Sequence, residues 1–191
     1  FMLGGFQLDE NRPYQGMRLE DIAKQRGTGL YDTAFDLIVE EEGRLFFVYS
    51  IGDQTISDWI GAAAISDPNC SIMTDIVGVD HPNPSPVSYG AFTKVLGQFA
   101  RDEQRMTQEE AVRKMTSLPA RQMQLPGRGV LEKGAFADIT VFDWEGVRDN
   151  NTLTDTDKAP TGIDAVFING QQVIADGKVN GSANAGVVVP G

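Results

Sequence analysis

Three side chains in this 191-residue chain combine useful chemistry with a telling place in the sequence: Asp75, His81 and Cys70. Asp75 closes the run Ser71-Ile72-Met73-Thr74, which reads as a short buried strand, and loop residues follow it. A carboxylate where a strand opens into a loop can ligate a metal. It can also take a proton from water and pass it to a leaving group. The same place suits an aspartate that closes an Asx-turn or caps a helix, and spacing leaves both readings open. His81 is the one histidine, in the proline-stiffened loop 78–86. A hydrolytic zinc site needs two or three His, Cys or carboxylate ligands, so one histidine cannot build it. A substrate contact and a surface histidine capping a turn both fit His81. Cys70, the one cysteine, reads as a small buried residue rather than a nucleophile. Glu40-Glu41-Glu42 reads as a solvated helix end. Neither a phosphate-binding glycine loop nor a G-x-S-x-G elbow occurs.

The elements that must position these residues follow from the apolar spacing. Met2–Gln7 is a short apolar run. Leu19, Ile22 and Ala23 stand at i, i+3 and i+4 and predict a helix over Leu19–Gln25 that stops at Gly27. A second helix is predicted over Tyr31–Glu42, capped by Asp32. Leu45–Tyr49 reads as a buried strand and Thr55–Ala64 as a helix. Beyond the proline loop, Ala91–Glu103 is a helix with Phe92, Val95, Leu96 and Phe99 on one face. Thr107 and Glu110 form a capping box before another helix, which runs to about Leu118. A short helix over Ala120–Leu125 is expected next.

After Pro126-Gly127 the pattern changes to strands: Gly129–Lys133, Ala137–Phe142, Ala165–Ile168 and Gln172–Ala175. Asn169-Gly170, between two apolar runs, signals a type I′ hairpin. Arg148–Gly162 is polar and reads as loop. Strand–helix alternation followed by strands alone predicts two architectures, divided near residue 125. The first has too few strands to close a barrel, which needs eight and about 250 residues.

Composition narrows the function. The 16 basic and 27 acidic residues give a net charge of −11, which repels phosphate backbones and argues against a nucleic-acid partner. No apolar run of membrane-spanning length occurs, so no membrane partner is expected. A lone cysteine suits a reducing compartment, and a cytoplasmic location is expected. The opening Phe1-Met2-Leu3-Gly4-Gly5-Phe6 reads as a strand already under way; either translation starts at Met2, directly on that strand, or, the favoured reading, the chain is the C-terminal part of a longer protein.

Three stretches resemble the N-acyl-D-amino-acid deacylases, the D-aminoacylase branch of the amidohydrolase superfamily. They are Tyr-Gly-Ala-Phe-Thr-Lys-Val-Leu-Gly (89–97), Glu-Glu-Ala-Val-Arg-Lys-Met-Thr-Ser-Leu-Pro-Ala-Arg (109–121), and the run 127–143 with Gly-Ala-Phe-Ala-Asp inside it. Val-Phe-Ile-Asn-Gly (166–170) is similar to the family's closing hairpin. The run 109–121 is the most particular to the deacylases. The resemblance implies an α/β fold: the C-terminal part of a (β/α)8 TIM-type barrel over residues 1–125, then strands of a small β-sandwich over 126–191.

The resemblance also implies chemistry. The family carries an aspartate at the end of its last barrel strand, at the metal and acting as general acid/base, and Asp75 matches it. Its neighbours differ, Thr74-Asp75-Ile76 standing where Ser-Asp-Gly is usual. The complete enzyme would hold Zn2+ or another divalent metal, whose other ligands would lie upstream of Phe1. The substrate implied is a small acyl-amino acid, with His81 near it. The family's His-Pro-Arg is here His81-Pro82-Asn83, and an asparagine does not supply the arginine's charge. Two alternatives stand beside this reading. One is an inactive piece that only docks on a missing N-terminal part of the same enzyme. The other is a cyclic-amide hydrolase of the hydantoinase or dihydroorotase kind. An incomplete barrel would expose sheet edges and apolar faces, so a homo-oligomer or a large interface is expected as well.

Overall fold

Apolar spacing decides where the first helices form. The computed structural model describes residues 2–48, 61, 63–74, 76, 87–152 and 155–189. Contacts divide the chain into two units, one of residues 1–60, 76–88 and 151–157, the other of residues 61–75, 89–150 and 158–191.

In the first unit, strand β1 (Met2–Gly4) pairs antiparallel with β2 (Phe46–Val48), Leu3 opposite Phe47. Two helices lie between them in sequence. Leu19–Arg26 buries Leu19, Ile22 and Ala23, the predicted face, and ends at Gly27. Leu30–Glu40 begins with Gly29 at its N-cap rather than Asp32. Asp32 lies instead in the first turn, where its charge faces the positive end of the helix. Leu3, Phe6, Leu19, Ile22 and Leu37 form the core, each side chain contributing about 1.5–3 kcal/mol by leaving water.

The reading of Glu40–Glu42 as a solvated helix end fails at Glu41, which is 2% exposed. Its carboxylate accepts from the Gln7 amide at 2.7 Å and from Asn11 Nδ2 at 2.9 Å. Asn11, itself buried, also donates to Glu40 and accepts from Arg26 at 2.7 Å. A carboxylate can be buried here because neighbouring donors replace its water.

In the second unit the sequence of elements is mostly helical, then a sheet. Residues 63–66 are helical; the rest of the helix expected at Thr55–Ala64 is, apart from residue 61, outside the described residues. Residues 71–74 are not a strand. Their backbone finds its partner on a helix, the Ile72 amide donating to the Lys114 carbonyl at 3.0 Å, so no ladder forms. The helix expected over Ala91–Glu103 is present but changes type: Val87–Lys94 is α and Val95–Asp102 is π. The wider turn brings Val95, Leu96, Gly97 and Ala100 inward together, while Phe92 is left 44% exposed.

Thr107 caps the helix Gln108–Met115, its hydroxyl accepting from the Glu110 amide at 3.2 Å. That helix ends at Thr116, and a new one spans Ser117–Gln122. Pro119 explains the break. It has no N–H to give the Met115 carbonyl, and its ring crowds the preceding turn. Proline is tolerated in the first turn of the second helix, where it lies.

The four-stranded sheet is an antiparallel meander, β3 (Ile139–Phe142), β4 (Ile163–Ile168), β5 (Gln171–Ala175) and β6 (Lys178–Val179). Asn169 and Gly170 have φ of 49° and 82°, the two positive values a type I′ turn requires. No strand forms over residues 129–133. Gly129 has φ 73°, a left-handed conformation that breaks an extended run, and Leu131 is 83% exposed with no face to pack on. Val95, Leu96, Ala100, Ala111 and Val147 make the core, with Ile72, Met115 and Trp144 packed on it.

Candidate functional site

Asp75 and His81 lie outside the described residues, so neither has a described side-chain geometry. Cys70 is described, and it is a free, exposed cysteine rather than a buried one. The chain turns back at this point, the Cys70 amide donating to the Asp67 carbonyl at 3.2 Å, and the thiol is left outside the core. What the structure supplies is the approach to Asp75: residues 67–74 and what holds them.

That approach is gripped by the helices of the run 109–121. Glu109 and Glu110 occupy the first turn of Gln108–Met115 and Arg113 and Lys114 its last, complementing the helix dipole at both ends. Glu110 and Arg113, one turn apart, form a bidentate pair with two 2.7 Å contacts. The pair holds the Glu110 carboxyl below its ordinary range and the Arg113 guanidinium above its own, the mutual hydrogen bond being the main cause in each case. Arg113, steadied this way, donates to the Pro68 carbonyl. Lys114 reaches further in: it is fully buried and its ammonium donates to the Asp67 carbonyl. Gln122 Nε2, on the next helix, donates to the Asn69 carbonyl at 3.1 Å. Together with the bond from Ile72 to the Lys114 carbonyl, four contacts fix the backbone over residues 67–72.

In the sequence, 109–121 marks the resemblance and Glu110 completes a capping box, but nothing there assigns a task to Arg113 or Lys114. A signal was present. Ala111, Lys114 and Met115 fall at i, i+3 and i+4, so a lysine stands in an apolar stripe. Such a misfit calls for a partner inside the protein.

Other features of this unit are structural. Arg101 donates to the carbonyls of Trp144, Glu145 and Val147 at 2.9, 3.1 and 2.9 Å, and pairs with Asp102. An open cleft runs past Arg101, Thr107 and Trp144, but its one cation is spent on those carbonyls. Among the described residues no group of three His, Cys, Asp or Glu is placed to hold a metal, so these residues alone do not make a metal centre.

Known proteins resolve the class. Residues 52–174 match the Amidohydrolase family, and the chain belongs to that family of hydrolytic enzymes. It is 34% identical over 159 residues to a D-aminoacylase of Alcaligenes xylosoxydans xylosoxydans, a match that covers 83% of this chain and 31% of the relative. Its structure superimposes on a D-aminoacylase crystal structure with a TM-score of 0.72 at 28% identity, covering 94% of this chain and 36% of that one. It is similar also to an N-acyl-D-glutamate deacylase of Bordetella bronchiseptica, complexed with zinc and a phosphonate that mimics the tetrahedral intermediate. There the TM-score is 0.71 at 31% identity, over 93% of this chain and 36% of that one. The chain thus spans about a third of the length of the relatives it matches. The α/β fold expected from the sequence, part of a TIM-type amidohydrolase barrel with trailing strands, is the fold of these matches. Among the described residues no helix is long and apolar enough to cross a membrane.

Proposed function

We propose that this chain is the C-terminal part of a metal-dependent amidohydrolase that cleaves the amide bond of an N-acyl-D-amino acid. The observation that carries the reading is its superposition, over nine-tenths of its length, on a deacylase that holds zinc and a mimic of the hydrolytic intermediate. In this reading residues 1–125 supply barrel elements and residues 126–191 supply half of a β-sandwich. A divalent cation, zinc by analogy with that relative, would supply Lewis-acid chemistry at the acyl carbonyl. Asp75 is the residue of this chain that would contribute to holding it.

Asp75 accepts a proton from the attacking water as the water oxygen bonds to the acyl carbon. It returns that proton to the amine nitrogen as the carbon–nitrogen bond breaks. The products are a carboxylate and a free amino acid. His81 contacts the substrate. Asn83 is neutral where the family motif carries a cation, so the substrate's own carboxylate is held by other groups. The lone exposed cysteine supports a cytoplasmic location. Tyr31, Phe35 and Val39, at i, i+4 and i+8 on the helix Leu30–Glu40, are 77, 66 and 76% exposed and support docking of this face on further protein.

The test is made on the protein at its natural full length. Asp75→Asn is expected to abolish turnover of N-acetyl-D-amino acids while the thermal midpoint persists. Turnover retained by Asp75→Asn, with metal bound, would overturn the assigned role. Hydrolysis of cyclic ureides in place of N-acetyl-D-amino acids would overturn the substrate class.

A further inference from the structure

A lysine fully removed from water demands a reason. Lys114 has no exposed surface, and the Asp67 carbonyl is the acceptor of its ammonium among the described residues. Burying a charge is costly, and a neutral carbonyl compensates it less than a carboxylate would. An apolar side chain would suit the stripe of Ala111 and Met115 better. Packing therefore does not account for the lysine, but the segment it holds does. The carbonyl it grips lies eight residues before Asp75, and the amide bonded to its own backbone carbonyl, that of Ile72, lies three residues before it. One residue thus ties the approach at two points, by side chain and by main chain, and neighbouring Arg113 adds a third at Pro68. Residues 71–74 have no ladder of their own to hold them.

We propose that Lys114 is a positioning residue for the hydrolysis: through its buried ammonium it fixes the segment that delivers the catalytic aspartate. The proposal rests on the reading of Asp75 as the proton acceptor. Misplacing a catalytic group by about 1 Å costs roughly 100-fold in rate, so a clamp on its approach can matter as much as the group itself.

Lys114→Met keeps the length and apolar character of the stem and removes the donor; Lys114→Arg restores a cation. Hydrogen exchange over residues 67–74 reads the clamp directly. Protection there is expected to fall in Lys114→Met while strands β3, β4 and β5 keep theirs. Unchanged protection over 67–74 would overturn the proposal. Kinetics on N-acetyl-D-glutamate read the consequence. In Lys114→Met, kcat is expected to fall about 100-fold with KM within about twofold and the thermal midpoint within about 4 °C. Lys114→Arg is expected to recover most of kcat. A lysine that served stability alone would lower the midpoint and leave kcat of the folded enzyme unchanged, and that result would also overturn the proposal. If the unaltered protein hydrolyses no N-acyl-D-amino acid, the proposed function fails, and with it the catalytic part of the proposal. The exchange measurement still decides whether Lys114 clamps the segment.

Discussion

Gly129→Ala puts a methyl group where the protein has no room for one. A Cβ at residue 129 would stand 2.7 Å from the Thr116 carbonyl oxygen, 2.8 Å from its carbon and 3.0 Å from Ala120 Cβ. Two of these are backbone atoms and the third is a helix methyl, so none can swing aside. The residue also has φ 73°, which costs an L-amino acid about 1–2 kcal/mol. Pushing the loop away from the helix turn at Thr116 adds about 1–3 kcal/mol, for a total of about 2–5 kcal/mol. Gly170→Ala is the internal control. Its φ is 82°, but the nearest atom to its Cβ is Ala137 Cβ at 3.9 Å, an ordinary contact. It should lose only the conformational part, about 1–2 kcal/mol. Urea unfolding of both variants, followed by circular dichroism, gives the two losses, and Gly129→Ala is expected to exceed Gly170→Ala by about 1–3 kcal/mol. Equal losses within about 0.5 kcal/mol would refute the contact of residue 129 with the turn at Thr116.

Two further outcomes test other parts of the structure. Asn11→Ala removes one donor from the buried Glu41 carboxylate and an acceptor from Arg26, and should cost about 1–3 kcal/mol in a thermal melt; an unchanged melt would show that Glu41 is satisfied without it. The Glu110 carboxyl is held below its ordinary value of 4.5, chiefly by the Arg113 hydrogen bond, so its stabilisation is present above pH 4.5 and is lost as pH falls through the depressed value. The stability difference between the unaltered protein and Glu110→Gln, small at neutral pH because solvent screens this surface pair, should shrink toward zero on acidification; a difference that grew below pH 4.5 would contradict the pairing.

Local devices were legible in the sequence because their partners are a few residues apart. The Thr107 cap needs only Glu110, and the Asn169-Gly170 hairpin needs only its two positive φ angles. Elements that depend on distant partners were not legible. Residues 71–74 have the composition of a strand, but whether they become one is decided by what lies alongside, and that is the Lys114 carbonyl. The π stretch Val95–Asp102 escaped because its apolar residues also fit an α face. Residues 129–133 look apolar enough to pair, yet Gly129 has φ 73° and lies close against the helix turn at Thr116. At the site itself, sequence pointed to Asp75 and His81. It did not reveal the grip on their approach, because Arg113 and Lys114 select no side chain in 67–69 that a motif could register.

That last point bears on how such a protein can diverge. Arg113, Lys114 and Gln122 grasp carbonyl oxygens, a group every residue possesses. Exchanging Pro68 or Asn69 for other residues leaves their handholds in place, whereas exchanging a gripping side chain removes one of the contacts that fix the segment. Mutational tolerance should therefore be lopsided across this contact, broad on the strap and narrow on the buckle.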